Sequence, residues 1–301
     1  MHNLIPPGGA DIPVPILKLR PGVRLEQVPD TDIALHRERI SAALPYIGLQ
    51  SWFARESAAV LHGLPLCRAD LDLVHLLYSG GGHGQIRTIA HVYKTPKVPP
   101  STTFSGDIPV TTLARTAADL MRRNLFGPAL AWADAALRLG APRGELLREV
   151  TGGRGCRHST EAVRRGDPRS ESPYESLVRA QLLQGGVPLP ELQVSLFDAD
   201  GFVGRPDFLW RRQGVVGEFD GETKYTTLLA PGQTREDVMR LQELRQRRLE
   251  GMGLRVVRWG KEAVHDPGAV TASIRALIGD VLVDHGLCPE AHDLRRPRHR
   301  R

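Results

Sequence analysis

Residues 214–225 read GVVGEFDGETKY, and the way this stretch ends decides how the second half of the chain is read. Val215 and Val216 have the β-branched, apolar character of a buried strand. Glu218, Asp220 and Glu222 follow at once, and then Lys224. Such an end is either a strand running out into a solvated turn or a rigid edge that holds charge. Side chains alternate across a strand, so Glu218 and Asp220 share a face. Glu218 follows the apolar run directly and is expected to be partly buried, where an unpaired carboxylate is costly.

Working outward, the turn RRQG (211–214) joins this strand to FVGRPDFLW (202–210), and the turn DADG (198–201) joins that to ELQVSLF (191–197). Three strands linked by tight turns predict an antiparallel meander. Before it, SPYESLVRAQLLQGG (172–186) predicts a helix with Ser172 as N-cap, Pro173 at the first position and Glu175 completing a capping box. After it, TREDVMRLQELRQRRLEGMG (234–253) predicts a helix capped at Thr234, LRVVRW (254–259) a fourth strand, and PGAVTASIRALIGDVLVDHG (267–286) a closing helix. The order is α-β-β-β-α-β-α.

Neighbouring strands bring side chains distant in sequence to within about 5 Å. The short RRQG turn therefore places Asp207 near Glu218 and Asp220 at one edge of the sheet. Clustered carboxylates repel unless a cation neutralises them, and a hard Mg²⁺ suits oxygen ligands. A metal so held polarises a phosphoryl oxygen and acidifies bound water, and a lysine beside it stabilises charge developing on phosphorus. Plainer readings remain open. Glu175 can simply complete the capping box, with or without a role in the site, Asp220-Gly221 is an ordinary turn dipeptide, and Arg245 lies among basic residues of a solvated helix face.

RPDF (205–208), EFDG (218–221) and a preceding helix bearing Glu175 resemble the PD-(D/E)xK restriction-endonuclease-like superfamily. More narrowly, residues 170–262 resemble the very-short-patch-repair-like endonuclease domains of actinobacterial proteins. The resemblance implies an α-β-β-β-α-β core with a mixed sheet. It implies Asp207 and Glu218 as metal ligands, Asp220 as a further ligand or positioning group, Glu175 as an accessory acid, and Arg245 as a phosphate- or site-facing residue. The superfamily's lysine position holds Asp220, and Lys224 stands in for it; Gln242 occupies a position that is often acidic in relatives. The implied activity is Mg²⁺- or Mn²⁺-dependent hydrolysis of phosphodiester bonds, with DNA as the expected nucleic acid. The alternative is a nucleic-acid-binding or antitoxin-like regulatory protein that has lost turnover.

The first half predicts a mixed α+β domain over residues 1–150. Helices are expected at 36–48, 56–64, 110–124 and 128–140, and strands at 72–78 and 86–94 joined by the loop SGGGHGQ (79–85). That loop lacks the GKS or GKT of a phosphate cradle and reads as a hairpin loop. His36, His62, His75, His83 and His91 show no metal-binding spacing and read as packing or surface residues. RESAAVLHGLPL (55–66) and DIPVTTLARTAADLMRRN (107–124) resemble AbiEi-type antitoxin-like proteins, with PGVR (21–24) as the remnant of a winged-helix wing. That resemblance implies a toxin–antitoxin type of partner. The Gly-rich, charged stretch 151–170 reads as a linker before an endonuclease-like domain at 171–286.

At 301 residues, with 41% hydrophobic and 25% charged side chains, the chain is long enough for two globular domains. No apolar run approaches membrane-spanning length, and the start MHNLIPPGGADIPVP lacks the pattern of a secretion signal. Three scattered cysteines, Cys67, Cys156 and Cys288, suit a reducing cytoplasm. The formal charge of +6 is shared between the halves, but the second half owes its sign to RRPRHRR (295–301). Such a tail suits phosphate backbones without reading sequence.

Overall fold

The computed structural model describes residues 17–20, 23–25, 29–66, 71–80, 83–86, 89–95, 101–151, 156–220, 234–266 and 268–292. The chain divides into two units, the first ending at Thr111 and the second beginning at Thr112. Both mix helices and strands, so the protein is α+β. No helix among the described residues is long and apolar enough to cross a membrane.

The first unit opens with an antiparallel pair, β1 (Leu17–Arg20) and β2 (Val23–Leu25), where the wing remnant was expected. Then follow α1 (Asp32–Ala43), β3 (Ser51–Phe53), α2 (Arg55–His62), β4 (Val74–Ser79), β5 (Gln85–Ile86), β6 (Ala90–Thr95), β7 (Thr102–Ser105) and β8 (Ile108–Thr111). Six of these strands form one sheet in the order β5-β6-β4-β3-β8-β7. The two strands expected to flank the glycine loop are not a hairpin: β4 and β6 run parallel, and the antiparallel partner of β6 is the short β5. Ile40 and Ala43 of α1 and Ala58 and Val60 of α2 pack with Phe53, Val74, Leu76 and Val110 of the sheet.

His36 lies wholly inside this unit, as a packing residue. Its Nδ1 is 2.8 Å from the Leu71 carbonyl and its Nε2 is 2.9 Å from Ser57 Oγ. Burial, with help from His75 and Arg39, holds its pKa below the ordinary 6.5. The unfolded chain therefore binds the proton more readily, so this stability is present above pH 6.5 and is lost as the pH falls through the folded pKa. Thermal melts of wild type and His36→Asn should differ most at pH 7.5 and converge towards pH 5.

The second unit begins with a helical layer: α3 (Leu113–Met121), α4 (Phe126–Arg138), α5 (Arg143–Val150) and α6 (Cys156–Arg165). Half of the stretch expected as a linker, 151–170, is thus helix α6, which buries Ser159, Glu161, Ala162 and Val163. Its polar sequence hid a single buried stripe. Next come α7 (Pro173–Gln184), β9 (Glu191–Leu192), β10 (Leu196–Asp198), β11 (Gly201–Gly204), β12 (Phe208–Trp210), β13 (Val215–Phe219), α8 (Arg235–Gly251) and β14 (Arg255–Trp259). The unit closes with α9 (Lys261–His265), α10 (Ala269–Ile278) and α11 (Pro289–His292). The expected closing helix stops at Ile278, where Gly279 leaves the helix at φ 82° and ψ 175°, a conformation open to glycine.

The main sheet has the order β14-β13-β12-β9, with β12 antiparallel to both neighbours and β13 parallel to β14. The expected meander is broken. Gln193, at φ 53°, turns the chain out of β9, and Pro206, lacking an N–H, interrupts the next strand. The displaced halves pair as a separate ribbon, β10 with β11. Arg248 of α8 pins that ribbon through Asp198, at 2.5 and 2.8 Å.

Strand alternation gives the sheet two covered faces. Phe208, Trp210, Val215, Phe219 and Trp259 pack with Val178 and Leu182 of α7 and Val270 and Ile274 of α10. Leu209 and Val216 face the other way, onto Leu196, Val203 and Leu249. Gly217 sits on the tryptophan face, where a Cβ would lie 2.6 Å from the Trp259 ring and 3.2 Å from that of Trp210. Both rings are buried. Gly217→Ala should therefore cost about 1–3 kcal/mol by overpacking, read as a lowered denaturation midpoint.

Candidate functional site

The same alternation explains the charged end of GVVGEFDG. Val216 and Glu218 share the α8 face of β13, so the strand leaves its apolar core on a carboxylate. Phe208 pairs with Gly217 across β12 and β13; continued by one residue, that register sets Asp207 opposite Glu218. On the other side, Glu218 pairs with Arg258 of β14. Glu218 is buried, at 8% exposure.

Asp207 is fixed by two donors. The Phe219 N–H reaches Asp207 Oδ2 at 2.8 Å, and Gln193 Nε2 reaches Oδ1 at 3.1 Å. The same Gln193 nitrogen lies 3.1 Å from Glu175 Oε2, and the Gln193 N–H donates to the Asp207 carbonyl at 3.1 Å. The left-handed backbone of Gln193 thus serves to link α7 to the start of β12. Glu175 departs from its expected capping role. Ser172 Oγ accepts from the Glu175 N–H at 3.2 Å, but Glu175 Oε2 accepts from the Glu171 N–H, at 2.8 Å. Burial pushes the Glu175 carboxyl up; the Glu171 N–H opposes this, and the nearby charge of Asp207 adds to it.

Two guanidinium groups face Glu218. Arg258 Nε lies 3.2 Å from Oε2, and Arg258 Nη1 donates to Gln246 Oε1 at 2.7 Å. Arg245 Nη2 lies 2.5 Å from Oε1. Its N–H bonds are not directed at that oxygen, so the buried Oε1 accepts no aligned hydrogen bond. The Arg245 guanidinium lies against Gly204, where a Cβ would come within 2.3 Å of its Nε. Arg245, expected to face phosphate or the site, meets the Glu218 carboxylate.

Asp207, Glu218 and Glu175 are thus brought to one end of the sheet. Asp220 extends the ladder, its N–H donating to the Trp259 carbonyl at 2.9 Å. It does not complete a three-ligand set with Asp207 and Glu218: no group of three or more His, Cys, Asp or Glu side chains poised for a metal occurs among the described residues. Lys224 lies outside the described residues, as does the tail 295–301. Among the described residues Glu218 has no second and third acidic or histidine donor grouped with it for a metal, and its carboxylate faces the guanidinium groups of Arg245 and Arg258.

Sequence reasoning missed Gln193, Arg258 and Gly204. Arg258 was accessible, since alternation along RVVRW puts it on the same face as Val256. Gln193 and Gly204 gave no signal, because one depends on a backbone turn and the other on a side chain forty residues away.

No protein-family model matches the chain. It is similar to two curated proteins of Mycobacterium tuberculosis, "Uncharacterized protein Rv2248" of strain H37Rv and "Uncharacterized protein MT2308" of strain CDC 1551. Each is 35% identical over 111 residues, which are 36% of this chain. The match spans 41% of the length of those relatives. No solved structure matches.

Proposed function

We propose that the second unit is a metal-dependent nuclease that hydrolyses phosphodiester bonds, with DNA as substrate and Mg²⁺ or Mn²⁺ as cofactor. The observation that carries the reading is the Phe208–Gly217 pair of β12 and β13, whose register continued by one residue sets Asp207 opposite the buried Glu218. The order of α7, β12, β13, α8 and β14 around a mixed sheet supports the restriction-endonuclease-like core.

Asp207 and Glu218 would hold the metal, which supplies a polarised phosphoryl oxygen and a water acidified towards hydroxide. The chain's own residues prepare that site. Phe219 N–H and Gln193 fix the Asp207 carboxylate so that little reorientation is needed on binding. Glu175, held through Gln193, keeps a second acid beside Asp207. Arg258, anchored by Gln246, keeps positive charge beside the reacting phosphate.

Supercoiled plasmid incubated with the full chain tests the reading. Nicking is expected with Mg²⁺ or Mn²⁺ and none with chelator; equal plasmid integrity under both conditions contradicts it.

The second reading, a nucleic-acid-binding or antitoxin-like regulator without turnover, is favoured by the lack of a three-ligand acidic group among the described residues. It predicts that the protein shifts DNA in gels yet leaves it intact with every divalent metal.

A further inference from the structure

Strand β14 is an edge of the four-stranded sheet, whose order is β14-β13-β12-β9. Its bonds to β13 use alternate residues. The Arg255 N–H donates to the Gly214 carbonyl and the Trp259 carbonyl accepts from the Asp220 N–H, both at 2.9 Å. In a parallel ladder that pattern turns Arg255, Val257 and Trp259 towards β13. The N–H and C=O groups of Val256 and Arg258 therefore point outward, and among the described residues no strand pairs with them. An open edge of this kind is a template for another strand.

Beside the edge runs a groove of about 580 Å³. Arg258 lines it from β14, and Met239, Glu243, Gln246, Arg247 and Glu250 line it from α8. Met239 is 51% exposed, a large apolar side chain left against water. Arg247 stands one helical turn from Glu243 on one side and from Glu250 on the other. The wall of the groove thus alternates in charge.

We propose that a second copy of this chain fills the groove, its β14 adding to this β14 in antiparallel register about a two-fold axis at Val257. Two sheets of four strands then join into one of eight. The register follows from the backbone. Val256 and Arg258 carry the outward groups, so Val256 of each copy exchanges both hydrogen bonds with Arg258 of the other. Val257 meets its own counterpart on the opposite face, where it already packs on the tryptophan core.

Charge selects a second copy over an unrelated strand. A two-fold axis normal to the sheet keeps both α8 helices on one face and runs them antiparallel. Each Arg247 then comes among the glutamates of the other helix, so the alternating wall is its own complement. A strand pair alone falls short of the roughly 800 Å² per partner that stable dimers bury. The α8 contact adds to it along a helix about 25 Å long. This inference goes beyond the hydrolytic reading and does not depend on it.

The test is sedimentation equilibrium of the full chain over a micromolar concentration series. Wild type should sediment as a dimer that dissociates on dilution. Val256→Pro removes an outward N–H and leaves the bonds to β13 in place, a change that edge strands tolerate. It deletes one bond from each copy and should raise the dimer Kd about tenfold or more. Arg247→Glu, at a side chain 76% exposed, leaves three carboxylates on each α8 wall and should weaken the dimer similarly. Adding Glu243→Arg to Arg247→Glu restores opposite charges and should return the Kd towards wild type. That rescue keeps the test decisive if Val256→Pro folds poorly in thermal melts.

A monomer at every concentration overturns the proposal and leaves the groove to a strand of other origin. A dimer indifferent to both Val256→Pro and Arg247→Glu overturns it too, because another surface then joins the copies.

Discussion

Asp134→Ala is expected to be the most destabilising single substitution outside the apolar core, costing about 3–5 kcal/mol. Asp134 is a lone carboxylate in the Ala- and Leu-rich helix α4, and it is fully buried. Its oxygens accept from the Asp167 N–H at 2.6 Å, from Ser176 Oγ at 2.7 Å and from Arg179 Nη1 at 2.5 Å. Arg179 in turn donates to the Arg165 carbonyl at 2.7 Å. The carboxylate therefore ties α4 to α7 and to the chain after α6. Burial pushes its pKa up, while the Arg179 guanidinium and the two further donors pull it back.

Removing Asp134 strands a guanidinium that is only 7% exposed, which costs more than the attraction itself was worth. Removing both partners, as in Asp134→Ala with Arg179→Met, should be milder than Asp134→Ala alone, because no charge is then left without a counterpart. Chemical denaturation of the two singles and the double measures this directly. A double variant as unstable as the sum of the singles would contradict the account.

The largest effect on activity is expected at the acids. Asp207→Asn keeps the shape of the side chain and can still accept from the Phe219 N–H, but it loses the charge that a divalent ion requires. Glu218→Gln does the same on the neighbouring strand and relieves Arg245 and Arg258 of their counter-charge. Metal-held charge stabilisation is worth several kcal/mol in the transition state, so each variant should slow cleavage by about 100–1,000-fold. The double variant should fall little further, because either loss already empties the site. Single-turnover rates in Mn²⁺ give these ratios. Glu175→Gln, acting through Gln193, should lose less.

Much of the second unit's fold was legible in the sequence. Helix α7 carried Ser172, Pro173 and two terminal glycines; α8 carried its Thr234–Asp237 box, seen at 2.7–3.1 Å. Strands β13 and β14 carried β-branched pairs bounded by turns. What failed did so for physical reasons. The two long expected strands broke at Gln193 and Pro206, because a run of β-prone residues does not reveal which of them takes a left-handed backbone or leaves the ladder. Helix α6 was hidden because a mean of polar residues outweighs a stripe of four buried ones. The closing helix was overextended past Gly279, whose positive φ, at φ 82° and ψ 175°, takes the chain out of the helix.

The acids of the site were legible and their partners were not. Asp207 and Glu218 announce themselves as carboxylates in apolar strands, and a two-residue alternation predicts that they meet. That Glu218 also meets Arg245 and Arg258 depends on the parallel pairing of β13 with β14 and on the packing of α8, which are tertiary facts. No group of three potential ligands that includes the expected third one, Asp220, occurs among the described residues.

The central claim is that Asp207 and Glu218 carry metal-dependent hydrolysis. Its most direct test is cleavage of supercoiled plasmid in Mn²⁺ by wild type beside Glu218→Gln at matched, folded concentrations. The account predicts nicking by wild type that chelator abolishes and that Glu218→Gln reduces by about 100-fold or more. Nicking of equal rate by both proteins would contradict it.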